Sequence, residues 1–227
     1  MKNHINNNYK VKKLIIKQKL FYWSIETALK YEPYGANGWW YERKLKIARK
    51  LIFSKWQEAL GGNVKAIACG SAALQPRLAR VFFAAGIPVM EGYGLTETSP
   101  VISVNMEKDN KIMFGTTGTV IDQVQVKIAE DGEILVKGPN VMIGYYNKPD
   151  KTAEDLTEDG WLHTGDVGEI DEKGRLRITG RVKEIFKTEK GKYVAPAPIE
   201  NRLSTQPGLE LSCVIGQGMG QPIALLN

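Results

Sequence analysis

Seven consecutive residues, Gly92-Tyr93-Gly94-Leu95-Thr96-Glu97-Thr98, put an aromatic ring, two hydroxyls and one carboxylate on a single turn. An aromatic ring can stack on a nucleobase, a threonine hydroxyl can hold a phosphoryl oxygen, and one glutamate can hold Mg²⁺ beside phosphates. A polar surface loop could carry the same residues, so the heptapeptide alone leaves both readings open. A second segment, Trp161-Leu162-His163-Thr164-Gly165-Asp166, sets a carboxylate on a glycine turn, suited to bridging two vicinal hydroxyls such as those of a ribose. Gly180-Arg181 adds a guanidinium further on. Taken singly, these two also fit an ordinary turn aspartate and a surface arginine.

The elements around these residues suit such a site. Val64 to Cys69 reads as a buried strand ending in Gly70-Ser71. Pro76 opens a helix that Gly86 closes, with Leu78, Val81, Phe82 and Ala85 as its inner face. Pro88 to Glu91 is the next strand and runs straight into the heptapeptide. Strand, helix, strand is the βαβ unit of an α/β sheet, whose ligands bind beyond the carboxyl ends of the strands. Upstream, Tyr41 to Leu60 has helical periodicity, with Leu45, Ala48, Leu51, Ile52, Trp56 and Ala59 on one face and Gly61-Gly62 as its stop. Downstream the pattern changes to short strands, Gln125 to Ile128, Gly132 to Lys137 and Arg175 to Thr179, with Asp131-Gly132 as a hairpin signal. A helix is predicted from Pro198 to Ser204, and Leu225-Leu226-Asn227 closes the chain as an apolar strand with no sequence behind it to pair with.

The composition of the 227 residues is globular: 43% apolar, 25% charged and only two cysteines, which excludes wholesale disorder and a disulfide scaffold. Cys69 and Cys213 are expected as reduced thiols in a cytoplasmic protein. The longest apolar run, Val81 to Met90, is too short to cross a bilayer, and the Asn-rich start (Asn3, Asn6, Asn7, Asn8) has no signal-peptide pattern. The net charge of +6 is unevenly spread, since residues 1–60 hold 13 Lys/Arg against 4 Asp/Glu and the rest hold 18 against 21. A basic surface for nucleic acid or anionic lipid and a solvated helical face are both compatible with that split.

Taken together, the motifs resemble the AMP-forming adenylate-forming ligases, and within them the long-chain fatty acid–CoA ligases. The resemblance runs from Tyr31 onward. It rests on Gly70-Ser71-Ala72-Ala73-Leu74, Glu91 through Pro100, Gly132-Glu133-Ile134 with Gly144-Tyr145-Tyr146, Gly160 through Asp166, and Gly180-Arg181-Val182-Lys183-Glu184. Lys192-Tyr193-Val194-Ala195-Pro196 followed by Ile199-Glu200 is the form that points to the long-chain branch. The resemblance implies an α/β fold with a β-rich subdomain: residues 1–100 as helical lead-in and α/β part of the large AMP-binding domain, 101–182 as the β-rich part, and 183–227 as the start of a small, mobile α+β C-terminal domain. It also implies that Gly70, Ser71 and Ala72 wall the adenine, Tyr93 packs on its other side, Thr96 holds the α-phosphate and Glu97 the Mg²⁺. Asp166 and Arg181 would hold the ribose, Lys183 would be the hinge, and Lys187 would reach the site after rotation. ATP, Mg²⁺ and CoA follow as cofactor and co-substrates, with a long-chain fatty acid as acyl donor, no nucleic acid, and peripheral attachment at the inner face of a membrane as a further option. Aryl–CoA or carrier-protein ligases, and a non-catalytic basic binding module, are the alternatives.

The family's Gly/Ser/Thr-rich triphosphate loop and its C-terminal adenylation lysine have no counterpart in the sequence, so the chain is expected to be incomplete and a poor nucleotide binder in isolation. Gly115-Thr116-Thr117-Gly118 imitates that loop, but no lysine follows, and it reads as a structural turn. Gly216, Gly218 and Gly220 lack the following helix of a dinucleotide site. Gln123 stands where relatives often have glycine in a turn, and Lys190 where many have glycine near the CoA channel. His163 has no second histidine nearby for a metal, and Cys69 reads as core. Trp39-Trp40-Tyr41 fits packing between helices or, alternatively, a lipid-facing patch.

Overall fold

The computed structural model describes residues 2–106, 112–206 and 208–227, with side chains from Lys12 onward. The Asn-rich start, Asn3 to Asn8, and His4 therefore have side chains outside the described residues. Two compact units divide the chain, Met1–Cys69 with Leu74–Met90, and Gly70–Ala73 with Glu91–Asn227.

The first unit is helical. It contains α1 (Lys2–Ala28), α2 (Trp39–Ala48), α3 (Ser54–Ala59), β1 (Ile67–Cys69) and α4 (Pro76–Ala84), and ends in the first residues of β2 (Val89–Tyr93). The single helix expected over Tyr41–Leu60 is interrupted by a π-helical turn, Arg49–Phe53. A π turn holds an extra residue, which rotates the apolar stripe behind it. Leu45 and Ala48, ahead of the turn, are buried as expected, but from the turn onward Phe53 is buried while Leu51 and Ala59 of the expected face are exposed. Arg49 on that turn donates through Nε to Ala84 O at 2.7 Å, and Gln57 Nε2 donates to Ala85 O at 2.7 Å. Two orphan carbonyls at the end of α4 are thereby satisfied. The grip also sets the rotation of α4: Ala79, Val81, Phe83, Ala84 and Ala85 are buried, while Leu78 is exposed and Phe82 only half-buried, against the face expected. The buried strand expected over Val64–Cys69 shortens to β1, which is half-buried at Ile67 and Cys69, with Val64 exposed. An apolar run does not specify what covers it, and burial here is decided by the neighbours. Tyr41 packs inward and donates to Thr27 O at 2.8 Å, whereas Trp39 and Trp40 are exposed, with Arg43 over the Trp39 ring at 4.2 Å.

The second unit is built on an antiparallel sheet. Its remaining elements are β3 (Ser103–Val104), β4 (Gly118–Val120), β5 (Gln125–Ile128), β6 (Glu133–Lys137), α5 (Pro149–Asp155), β7 (Leu162–Ile170), β8 (Arg175–Arg181), β9 (Phe186–Lys187), β10 (Tyr193–Val194), α6 (Pro196–Leu203), β11 (Ser212–Ile215) and β12 (Ile223–Leu226). Strands run in the order β2-β3-β4-β8-β7-β6-β5. Ile102, Ile134, Val136 and Leu176 form the core beneath it, with Tyr93, Val126 and Ile178 packed against them. The Asp131-Gly132 hairpin forms between β5 and β6, with Asp131 Oδ1 accepting Glu133 N–H at 3.0 Å. Gln123 adopts φ +67°, a left-handed conformation that explains why a glycine would suit the position. Gly115–Gly118 is a structural turn: the Thr117 hydroxyl bonds Leu176 O at 3.1 Å and Thr116 bonds Met113 O at 2.9 Å. The C-terminal apolar strand β12 does have a partner, the preceding β11, in an antiparallel pair from Ser212↔Leu226 to Ile215↔Ile223. The last helix, α6, begins at Pro196, two residues before the expected start. Both cysteines are free. Among the described residues no helix is long and apolar enough to cross a membrane.

Candidate functional site

The segment read from sequence as a glycine turn before Asp166 lies inside a nine-residue strand, β7. The β6–β7 ladder pairs Leu135 with His163 and then Glu133 with Val167. One residue on β6 thus faces three on β7, so Thr164, Gly165 and Asp166 are pushed out as a bulge. Bulges of this kind re-aim side chains beside active sites. Gly165 supports it with φ +70°.

Asp166 is 5% exposed. Its Oδ2 accepts the Tyr93 hydroxyl at 2.7 Å, and its Oδ1 lies 3.3 Å from Arg181 Nε, on the facing residue of β8. The last residues of β2 and β8 therefore converge on one carboxylate in the middle of β7. Burial, followed by the adjoining carboxylate, pushes the Tyr93 phenol far above its usual range despite the opposing effect of Thr164, so the ring acts as a donor and stays neutral.

The heptapeptide turns through a short 3₁₀ segment, Thr96–Thr98. Its two hydroxyls part company. Thr98 is fully buried, its Oγ1 accepting Leu95 N–H at 2.9 Å and lying 3.0 Å from Leu95 O and 3.0 Å from Pro100 O, so it holds the loop together. Thr96 is exposed and faces solvent. Gly94 is required by space, because a Cβ there would lie 1.7 Å from Pro100 O. Glu97 is half-buried; its Oε1 accepts the Tyr145 hydroxyl at 2.9 Å, and its carbonyl accepts Met142 N–H at 2.8 Å.

Tyr145 also lies 3.1 Å from Asp155 Oδ2, and Asp155 pairs with Lys151 at 2.7 Å. One phenol thus spans two carboxylates. Burial and then those two carboxylates raise the Tyr145 phenol well above its ordinary range. Burial would raise Asp155, but hydrogen bonds from Lys151 and Tyr145, with the charges of Lys151 and Lys183, hold it below its usual value.

Gly70–Ala73 lies in the same unit as β7, and Gly70 runs beside Gly92, whose carbonyl would sit 3.4 Å from a Cβ on Gly70. Ser71 takes φ +66°, a left-handed conformation uncommon for serine. Lys183 sits on the 3₁₀ turn Val182–Glu184 that follows β8. Lys187, on the β9–β10 hairpin, places Nζ 5.2 Å from the centroid of the Tyr193 ring. Among the described residues no hydrogen bond or ion pair joins it to Glu97 or Asp166.

Sequence reading missed Tyr145, Asp155, Glu133 and Thr164 as parts of the site. Tyr145 and Glu133 did stand in recognised motifs, but nothing in their spacing reveals that they reach Glu97 and the Asp166 bulge. His163 Nδ1 lies 2.7 Å from Glu133 Oε2. Among the described residues no three His, Cys, Asp or Glu side chains cluster as a metal site. A cation at Glu97 would need its remaining ligands from phosphates and water.

The profile of the AMP-binding enzymes matches residues 26–146. The chain is 42% identical over 182 residues to long-chain-fatty-acid–CoA ligase FadD15 of Mycobacterium bovis, covering 80% of this chain and 30% of that protein. It is 36% identical over 219 residues to fatty acyl-CoA synthetase A of Dictyostelium discoideum, covering 90% of this chain and 32% of the relative. The chain therefore spans about a third of the length of these relatives. Among solved structures, ATP-bound MatB from Rhodopseudomonas palustris is similar with TM-score 0.59 and 34% identity, over 65% of this chain and 31% of that one. O-succinylbenzoate coenzyme A synthetase from Bacillus subtilis, in complex with ATP and magnesium ion, gives TM-score 0.62 and 26% identity, over 76% and 40%.

Proposed function

We propose that this chain, which belongs to the AMP-binding enzyme family, carries the adenosine-binding part of an AMP-forming long-chain fatty acid–CoA ligase. The observation that carries the reading is the buried Asp166 carboxylate on the β7 bulge, held between Tyr93 and Arg181 at the ends of β2 and β8. A carboxylate fixed from two sides by donors keeps lone pairs for a vicinal diol, and a ribose supplies one.

The neighbouring residues fit the rest of a nucleotide. Gly70, Ser71 and Ala72 offer backbone and small side chains to a flat base, and Tyr93 offers a neutral ring for its other side. Thr96 presents a free-facing hydroxyl for an α-phosphate oxygen. Glu97 would hold Mg²⁺ through the oxygen that Tyr145 does not take, and the ion would offset phosphate charge during transfer.

In the reaction this predicts, a fatty carboxylate attacks the α-phosphorus of ATP, the bond to the bridging oxygen breaks, and pyrophosphate leaves. The acyl-adenylate is then attacked by the CoA thiol, which loses its proton as the acyl–oxygen bond breaks and AMP departs. Residues 183–227 are the start of the mobile small domain, Lys183 the hinge, and Lys187 the cation that approaches the site in the rotated state. Association is with a fatty acid, ATP and CoA; a membrane contact would be peripheral. Hydrogen bonds of Asp166 to a diol strengthen where water is excluded, which is how binding energy remote from phosphorus orients the reacting groups.

Saturation-transfer NMR of the chain with millimolar AMP tests the reading. The expected result is a signal from the adenine and ribose protons that Asp166→Ala abolishes. No signal, or a signal indifferent to Asp166→Ala, overturns it.

A further inference from the structure

We infer that Glu133 is a positioning residue that sets hydroxyl specificity at the nucleotide site, by holding the β7 bulge in the one shape that presents Asp166. The inference rests on the ribose reading above and deepens it.

A bulge that extrudes Thr164, Gly165 and Asp166 from a ladder loses the ladder's own hydrogen bonds. The chain replaces them from β6. Glu133 Oε1 accepts the Gly165 N–H at 2.8 Å, directly before Asp166. Its other oxygen, Oε2, meets His163 Nδ1 at 2.7 Å, directly before the bulge. One carboxylate thus spans the turn from end to end. The Glu133 side chain is 12% exposed, so both bonds act where water competes little. Thr164 sews the middle: its hydroxyl donates to Ile134 O at 2.7 Å and accepts Asp166 N–H at 3.2 Å.

Glu133 does not touch Asp166 and is not placed against the nucleotide. Its acceptor decides where the Gly165–Asp166 peptide points, and so where the Asp166 oxygens stand relative to a diol. The chemistry selected is a 2′,3′-dihydroxyl: a nucleotide lacking both groups gains nothing from a correctly shaped bulge. Loss of Glu133 should therefore weaken AMP and leave 2′,3′-dideoxy-AMP untouched, a pattern that general destabilisation does not produce.

The test is saturation-transfer titration of the chain with AMP and with 2′,3′-dideoxy-AMP. The unsubstituted chain should prefer AMP by about tenfold or more, the discrimination expected of hydrogen bonds to a charged acceptor. Glu133→Ala should cut that preference severalfold with the dideoxy affinity unchanged. Glu133→Gln should restore it, because its amide oxygen still accepts Gly165 N–H and its NH₂ can donate to a neutral His163. Should Glu133→Ala fail to fold, Glu133→Asp, which shortens the reach to Gly165, should show the same selective loss. A full preference in Glu133→Ala or Glu133→Asp, alongside its loss in Asp166→Ala, overturns this inference alone. A preference that survives Asp166→Ala overturns the ribose reading beneath it.

Discussion

Tyr93→Phe removes one hydroxyl and nothing else from the centre of the site. The bond it deletes is short, 2.7 Å, and ends on a carboxylate only 5% exposed, so water cannot take the hydroxyl's place. Hydrogen bonds to charged groups contribute about 1.5–3 kcal/mol, and this geometry belongs in that range. Arg181, the other partner, stands 3.3 Å away with a side chain 65% exposed, so Arg181→Ala should cost about 1 kcal/mol or less. A double-mutant cycle of Tyr93→Phe with Asp166→Ala isolates the pair, and the double variant should be less damaged than the sum of the singles by about 1.5 kcal/mol. Trp161 is the only tryptophan in the second unit, while Trp23, Trp39, Trp40 and Trp56 lie in the first. Urea unfolding followed on the 5-fluorotryptophan resonance of Trp161 therefore reads the unit that holds the pair. With an m value of about 1–3 kcal/mol/M, the coupling corresponds to roughly 0.5–1.5 M in the midpoint. Additivity within about 0.5 kcal/mol would refute the claim that the phenol and the carboxylate hold one another.

Three further outcomes follow from local geometry. Gly94→Ala places a methyl 1.7 Å from Pro100 O and 2.9 Å from Val101 Cα, so the Leu95–Pro100 loop must move; unfolding midpoints should drop by the equivalent of about 3 kcal/mol or more, and AMP signal should vanish. Gly165→Ala meets nothing within 4 Å and incurs only the left-handed backbone cost, about 1–2 kcal/mol, so a ranking of Gly165→Ala below Gly94→Ala would contradict the packing. At the β7–β8 turn, burial would raise Asp171, but backbone bonds from Arg175 and Lys173 and the Arg175 side chain lower it below its usual value. A carboxylate depressed by folding stabilises above its unfolded pKa, near 4, and loses that contribution as pH falls through the folded value. Asp171→Asn should therefore lower the urea midpoint at pH 7 and converge with the unsubstituted chain as pH falls through the folded value; a constant gap across that range would show that the charge plays no part.

Much of the fold was legible because it is written locally. Alternation and the Asp131-Gly132 pair located β5 and β6, since a short turn closed by Gly132 N–H on Ala129 O, with an Asx bond from Glu133 N–H to Asp131, fixes the register of its flanking strands. Tyr93, Glu97, Asp166 and Arg181 were singled out from residue type within recurring motifs, and the structure brings Tyr93, Asp166 and Arg181 together. What stayed hidden depends on insertions in a regular pattern. The π turn at Arg49–Phe53 defeats a helical count, as it moves Phe53 inward and Leu51 outward. The bulge in β7 defeats a turn reading in the same way, because residues that look like a loop are held within a strand by side chains of β6.

By itself the sequence determined the candidates Tyr93, Glu97, Asp166 and Arg181, the mixed α/β class, and the turns whose geometry only glycine or an Asx bond satisfies. The tertiary structure decided the partnerships. Tyr145 reaches Glu97 across 48 positions from one loop to another, and Glu133 on β6 reaches Gly165 across 32, on the neighbouring strand β7. A hydrogen bond needs two groups within about 3 Å, and no local pattern states which distant group will arrive there. The sheet supplies that information through register, and register is settled only when the whole core is packed.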